Sequence, residues 1–494
     1  MCRGRVSLLV FLFVLAVTLA CGLTGPTLTP TEHVSAKATA TERVPVTATP
    51  TQDISVFVNA TLTALASRPL PTLVPPTTPI PSDTPVPTET LTPTIPPSPT
   101  LPPPTPTQQA LRVAYVKNGN VWLWTQGGST QPLTTAGYVV SLDLSGDGQM
   151  VAFQRETIPF HPELWAVNSD GTGERVLVSA ADFLALLPGS PDPNAAGIGP
   201  FQYGWRPGTR VLAYNTRPLF EGPGLGGHDD LRQVDADTLV KTTLFEFGQG
   251  GKFYFSPDGS RMVIVTPKYI SMANADGSHL RFSFLVYLSV ITYSEYYYYP
   301  HPIWAQDSSS LRVAIPPEDP MATPVQLTAF WYLPITDGSP AVLLCSADVM
   351  GFDWPDDAFS PDLSRIAYLR HTGEPVDNLR ELHIANPDCT GDTIYYTGES
   401  VTFQGWNPDS DHFVFSQRGS GPMHGTHIGR VGGGYETLST DPSKIFELRW
   451  VDETRYLYAW VTATGSFELH LNAWMNHILL IDTFDNIPSF DFAE

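Results

Sequence analysis

The sequence predicts an all-β fold, a β-propeller of four-stranded antiparallel blades, and three observations predict it. A unit of about 50 residues repeats along the chain, each copy places a polar turn between two apolar strands, and the two ends of the repeating region complement one another. The clearest copies are "FSPDGSRMVIV" at 255–265 and "FSPDLSRIAYL" at 359–369. Aligned on the apolar residue before the turn, the copies start at Leu144, Trp205, Phe255, Trp304, Phe359, Trp406 and Trp450, with spacings of 61, 50, 49, 55, 47 and 44 residues.

Before the repeats come two segments of different character. Arg3 and Arg5 lead into "SLLVFLFVLAVTLA", an apolar run ending at residue 20 that is too short to span a bilayer and reads as an export signal over 1–20. Cys21 follows. The segment "VTLAC" resembles a bacterial lipobox, with Thr18 standing where that motif usually has leucine, and implies lipidation of Cys21. The alternative is a secreted form released by ordinary cleavage, and both place the protein outside the cytoplasm. An acyl anchor would hold it to the bacterial cell membrane or envelope without a transmembrane helix.

Residues 21–110 read as a disordered stalk. From Gly22 to Ala110, twenty of 89 residues are proline, mixed mainly with threonine, so donors for helix or sheet are missing and too little apolar surface exists to offset ordering. An extended polyproline-like chain reaching about 3.1 Å per residue is expected.

Residues 111–494 are the expected propeller domain. Within a copy, proline sets the first central angle of the turn, aspartate accepts local backbone hydrogens and glycine takes the left-handed position, as Pro257, Asp258 and Gly259 do in order. The strand that follows, "RMVIV", has bunched apolar residues, as burial on both faces requires. Paired strands around a glycine turn complete the unit, as in "PELWAVNSDGTGERVLV" at 162–178 and "NLRELHIANPDCTGDTIYYT" at 378–397. One short surface helix is expected, at 179–189 in the long first interval. The region opens at Leu111 with strands that lack the first of a unit, and "NIPSFDFAE" at 486–494 reads as a first strand standing alone. Joining the two closes a ring of eight blades; an anchor that starts no blade would leave seven or six.

The turns followed by hydrophobic strands, with "ELWAVNSDGTG" and "PLTT" beside them, resemble the TolB-like, PD40 (WD40-like) propeller repeat, most closely at 255–265 and 359–369 and least at Trp304 and Trp450, where proline is missing. The resemblance implies protein contacts in the cell envelope, yet TolB's small α/β domain is replaced here by the Pro/Thr stalk, so its particular partners are not implied. Relatives of the repeat also occur in prolyl oligopeptidase-like enzymes. No G-x-S-x-G nucleophile elbow occurs between Leu111 and Glu494.

Five acidic and five basic residues precede Leu111 and cancel, so the formal charge of −22 falls on the propeller. Such a surface repels nucleic acid. Cys345 and Cys389, in successive repeats, are a candidate disulfide. The strongest binding candidate is "YSEYYYYPHPIW" at 293–304, with Tyr296, Tyr297, Tyr298, Tyr299 and His301. Its tyrosines suit a peptide or sugar ring, and as a strand they would alternate between two faces. Asp229, Asp230, Asp235 and Asp237 supply hard oxygens for Ca²⁺ without the loop pattern of a calcium site, and His424 and His427 have zinc-like spacing in what reads as an exposed glycine-rich loop. No cofactor other than that Ca²⁺ is expected. The function expected is recognition of a protein, peptide or cell-wall glycan; the alternatives are a hydrolase or lyase with carboxylates at the channel, and a purely structural surface protein.

Overall fold

The computed structural model describes residues 110–222, 226–322, 324–349, 358–372, 378–419, 423–474 and 477–494. The expected signal, Cys21 and the stalk lie outside them. Eight antiparallel sheets follow one another around a ring. Blade 1 is Val139–Leu144, Met150–Arg155, Glu163–Asn168 and Arg175–Val178, and blade 2 is Gly197–Trp205, Val211–Leu219, Leu231–Asp235 and Lys241–Phe245. Blade 3 is Lys252–Phe255, Arg261–Val265, Tyr269–Asn274 and Arg281–Val286; blade 4 is Ile303–Trp304, Ser310–Ile315, Thr328–Pro334 and Val342–Ala347. In blade 5 the strands Ile366–His371, Leu379–Ala385 and Thr393–Glu399 pair in order, and among the described residues the first strand contributes one bridge, Phe359 to Ile366. Blade 6 is Val401–Trp406, His412–Gln417, Gly425–Arg430 and Tyr435–Ser439, and blade 7 is Ile445–Trp450, Arg455–Val461, Phe467–Ala473 and His477–Phe484.

Blade 8 takes its strands from both ends of the ring. Phe490–Ala493 pairs antiparallel with Arg112–Lys117, with Phe492 opposite Val113, and Asn120–Thr125 and Gln131–Pro132 finish the sheet. This pairing removes the free inner edge that an open ring would expose. Tyr115 and Phe490, both buried, pack in one cluster with Leu457, Leu469 and Phe484 of blade 7, so closure is a packing event as well as a hydrogen-bonded one.

The repeated turn explains why neighbouring blades register. In blade 3 the Ser256 hydroxyl donates to Asp258 Oδ1 at 2.6 Å, the Ser260 amide donates to the same oxygen at 2.9 Å, and Gly259 sits at φ 68°. Ser308, Leu363 and Ser410 occupy the same left-handed position in blades 4, 5 and 6, at φ 61°, 61° and 60°. The serines are accounted for by the next contact: Ser308 Oγ accepts the Asp258 amide at 3.1 Å and Ser410 Oγ accepts the Asp362 amide at 3.0 Å, each from the preceding blade.

Hydrogen bonds cross every blade junction. Trp205, Trp304 and Trp406 each donate the indole N–H to a carbonyl of the preceding blade or its entry, on Asp143, Tyr254 and Ala358, at 3.1, 3.0 and 3.2 Å. Arg206 Nε reaches the Gly259 carbonyl at 2.9 Å and Arg312 the Leu363 carbonyl. Asn407 donates to the Glu453 carbonyl at 3.0 Å, Arg449 to the Phe490 carbonyl at 2.7 Å, and the Leu144 amide to Asp491 Oδ2 at 2.8 Å. Trp205, Trp304 and Trp406 are therefore core side chains with a polar tip that finds a partner, as a buried indole requires.

The helix is Ala180–Leu184, capped by Ser179 in a capping box with Asp182. It lies against the core, because Phe183 is fully buried beside Tyr214, their ring centres 6.0 Å apart. Cys345 and Cys389 are joined at 2.07 Å between sulfurs, linking blade 4 to blade 5.

Candidate functional site

Alternating strands divide the connections of every blade between two faces. Turns after the first and third strands emerge at one end, while turns after the second strand and the links to the next blade emerge at the other. The first end is built of short turns closed by aspartate, such as Asp258, Asp276 and Asp388, each held ionised below its ordinary range by the hydroxyls and amides that donate to it. The second end carries the long segments, at 179–196, 220–230, 287–302 and 316–327. We call it the loop face.

The tyrosine run lies on the loop face and is not a strand, so its side chains do not alternate as a strand would have them. Without a ladder to fix it, the segment takes its shape from side-chain contacts, and it reaches from blade 4 back to blade 2. Tyr297 lies on Gly226, where an added Cβ would come within 2.7 Å of its ring. Tyr299 is buried against Phe201 of the blade 2 inner strand, with Lys252 Nζ of blade 3 4.8 Å from its ring centre. Its hydroxyl donates to Asp229 Oδ1 at 3.2 Å and accepts the Gly227 amide at 3.4 Å. Burial pushes the Asp229 carboxyl up to about 7, the hydrogen bond from Tyr299 opposing it, and burial likewise raises the Tyr299 hydroxyl.

Around this pinned end the rest of the run faces solvent. Tyr293, Tyr296 and Tyr297 are 62%, 37% and 59% exposed, which makes an aromatic surface at the mouth of the ring. Leu288, Ile291, Met321, Val325 and Leu327 are exposed on the same face, on two segments joined by the Ile291 amide to the Glu318 carbonyl at 2.7 Å and by Tyr293 Oη to Asp319 at 2.7 Å. Tyr298 and His301 turn the other way and line a small cleft between blades 4 and 5, with Phe330, Phe359 and Tyr368. Thr328 also lines it, and its buried hydroxyl has no hydrogen-bond partner among the described residues.

The metal candidates do not gather. Asp229 and Asp230 lie before the strand Leu231–Asp235, and Asp235 and Asp237 at its other end, about 13 Å away at the rise of a β-strand. Asp230 accepts the Thr216 amide at 2.7 Å and Arg232 Nε at 2.8 Å, while Asp235 accepts the Asp237 and Thr238 amides. Asp237 pairs with Arg175 and Arg210. His427 is in a strand of blade 6 and buried, not on an exposed loop; Nε2 donates to the Met423 carbonyl at 2.8 Å and Nδ1 accepts from Thr437 Oγ1 at 3.1 Å. Burial holds its pKa below the ordinary value. His424 donates to the Gly419 carbonyl at 3.2 Å. Among the described residues no group of three His, Cys, Asp or Glu side chains converges.

Two inner-strand carboxylates are engaged in holding blades together: Asp143 accepts the Trp205 amide at 3.1 Å, and Asp491 pairs with Arg449 at 2.8 Å. Sequence reasoning missed Arg217, near the loop-face end of the second strand of blade 2, whose Nε is buried without a hydrogen-bond partner among the described residues. Its signal was an isolated arginine in an apolar strand, "VLAYNTRPL".

No helix among the described residues is long and apolar enough to cross a membrane. No family model matches the chain, and no curated protein matches it. Solved structures similar to it include TolB from Acinetobacter baumannii, 14% identical over 58% of this chain and 64% of that one, with a TM-score of 0.30. Others are a eukaryotic initiation factor, 14% identical over 77% of this chain and 85% of that one at a TM-score of 0.45, and the β-propeller domain of the Trilobed protease from Pyrococcus furiosus, 12% identical over 70% and 95% at 0.39. At such identities and TM-scores these likenesses carry no functional argument, and the eight-bladed propeller rests on the strand pairing itself.

Proposed function

We propose that this chain is a TolB-like, extracytoplasmic binding or scaffold propeller that recognises a protein, peptide or cell-wall glycan at the mouth of its loop face. The observation that carries the reading is the tyrosine segment, which Tyr299 pins over blade 2 while Tyr293, Tyr296 and Tyr297 stay exposed. Ordering that segment in advance lowers the entropy that binding would otherwise lose, and tyrosines supply contact area with few rotatable bonds. In the same reading the protein is exported, carried on the Pro/Thr stalk and anchored through a lipid on Cys21, and the propeller performs no reaction of its own.

A photo-crosslinking side chain at Tyr297 should capture a protein or wall glycan in cells, and the same group at Asp276 on the turn face should not. Equal capture from both faces would refute the recognition face. For the anchor, Cys21→Ala should release the protein from membranes, and globomycin should block its maturation; a variant still retained there would overturn lipidation.

A further inference from the structure

On the loop face, exposed apolar side chains and carboxylates share two segments. The Ile291 amide donates to the Glu318 carbonyl at 2.7 Å and Tyr293 Oη to Asp319 at 2.7 Å, so the segments 287–302 and 316–327 form one surface. Each is also set by its own short bonds: Thr292 Oγ1 donates to the Tyr296 carbonyl at 2.6 Å, and Asp319 Oδ1 accepts the Met321 amide at 2.9 Å. Tyr293 and Tyr296 are exposed on this surface, as are Leu288, Ile291, Met321 and Val325. An apolar surface of this kind on a water-facing loop marks a contact site when its rim is polar. Here the rim has one sign. Glu295 and Glu318 are exposed, and the two segments hold Glu295, Glu318 and Asp319 with no lysine or arginine. The other long segments of that face, 179–196 and 220–230, add five acidic residues and again no lysine or arginine. Three cations border the region and are fewer than its acids: Lys252, buried against Tyr299 and Phe201; Lys268, whose carbonyl accepts the Tyr287 amide at 2.9 Å; and Arg217, in the strand before 220–230.

We infer that this surface receives a protein or peptide segment in which lysine or arginine flanks apolar residues. The inference rests on the loop face being the recognition face, and it narrows the ligand. The partner's apolar residues cover the exposed aliphatic side chains, while its cations lie beside the carboxylates of the rim and over the tyrosine rings. A glycan fits less well, because its hydroxyls would lose water against Leu288, Ile291 and Val325 and gain no hydrogen bond there. An anionic polymer would meet carboxylates of its own sign.

The test pans a phage-displayed library of random short peptides on the full chain and measures the tightest selected peptide, made synthetically, by fluorescence anisotropy. Selected peptides should carry net positive charge with apolar residues between the cations. The synthetic peptide should lose roughly two- to thirtyfold in affinity for the double variant Glu295→Gln, Glu318→Gln, the range of two exposed ion pairs. It should keep its affinity for the double variant Glu436→Gln, Glu453→Gln, which removes as much charge from exposed positions on the outer strand of blade 6 and the turn face of blade 7. Added salt should weaken the complex, and so should serine in place of the peptide's apolar residues. Selection of neutral or acidic peptides, no selected peptide at all, equal losses in the two double variants, or displacement of the peptide by chitotetraose would each overturn the inference. If the selected peptides are uncharged and Tyr297→Ala weakens them, the cationic partner falls and the recognition face stands. If cationic peptides lose affinity only in Glu436→Gln, Glu453→Gln, the recognition face falls with the inference.

Discussion

Single residues set the local geometry here by what a backbone position will tolerate. At Gly259 the chain is left-handed, and a Cβ would also lie 2.5 Å from the Pro207 carbonyl oxygen of the preceding blade. Gly259→Ala should therefore destabilise by about 1–3 kcal/mol, read from urea unfolding; a change near zero would mean that the turn relaxes freely. Asp229 behaves differently because its penalty depends on pH. Its pKa rises from an ordinary 3.8 to about 7 on folding, chiefly through burial, so the folded state binds the proton more tightly than the unfolded one. This residue thus adds stability as pH falls from about 7 to about 4 and costs it above that window. Compared at pH 5 and pH 8, wild type should lose more of its urea midpoint on going to pH 8 than Asp229→Asn does; equal losses would contradict the burial. Tyr299 was legible as an aromatic in a run, but its pairing with Asp229 was not, since 70 residues separate them and no local pattern joins them.

Within the blade, the element is stabilised as much by its neighbour as by its own ladder. Trp406 packs against Phe403 and Phe413, with ring centres 5.8 and 5.5 Å away, and donates its N–H to Ala358 of the blade before. Trp406→Phe keeps most of the apolar area and removes the donor, leaving the Ala358 carbonyl with the Ala367 amide as its partner. A loss of about 0.5–1.5 kcal/mol is expected in chemical denaturation, and a neutral substitution would show that the bond contributes nothing. Turns and strands of the repeat could be read from sequence because they depend on residues within ten positions of one another. The indole bonds span 62, 50 and 48 residues, close to the repeat period, so the anchors were recognisable as core but not as donors.

For the whole molecule, closure is the step on which the ring depends. Arg449 and Asp491 pair across blades 7 and 8, Asp491 also accepts the Leu144 amide of blade 1, and Phe490 is buried between. Deleting residues 486–494 should expose an inner edge at Arg112–Lys117, lower the melting temperature by many degrees and promote association, followed by light scattering. A truncated protein that melts normally and stays monomeric would contradict the shared blade. Sequence by itself determined the propeller and the pairing of its ends and favoured eight blades over seven or six, because repeat spacing and turn chemistry are local and recur often enough to be counted. Tertiary structure alone decided which connections share a face, that the tyrosine segment leans back to blade 2, and that four aspartates fall at two ends of one strand. Those facts depend on distances through space between residues far apart in the chain, which composition and periodicity do not encode.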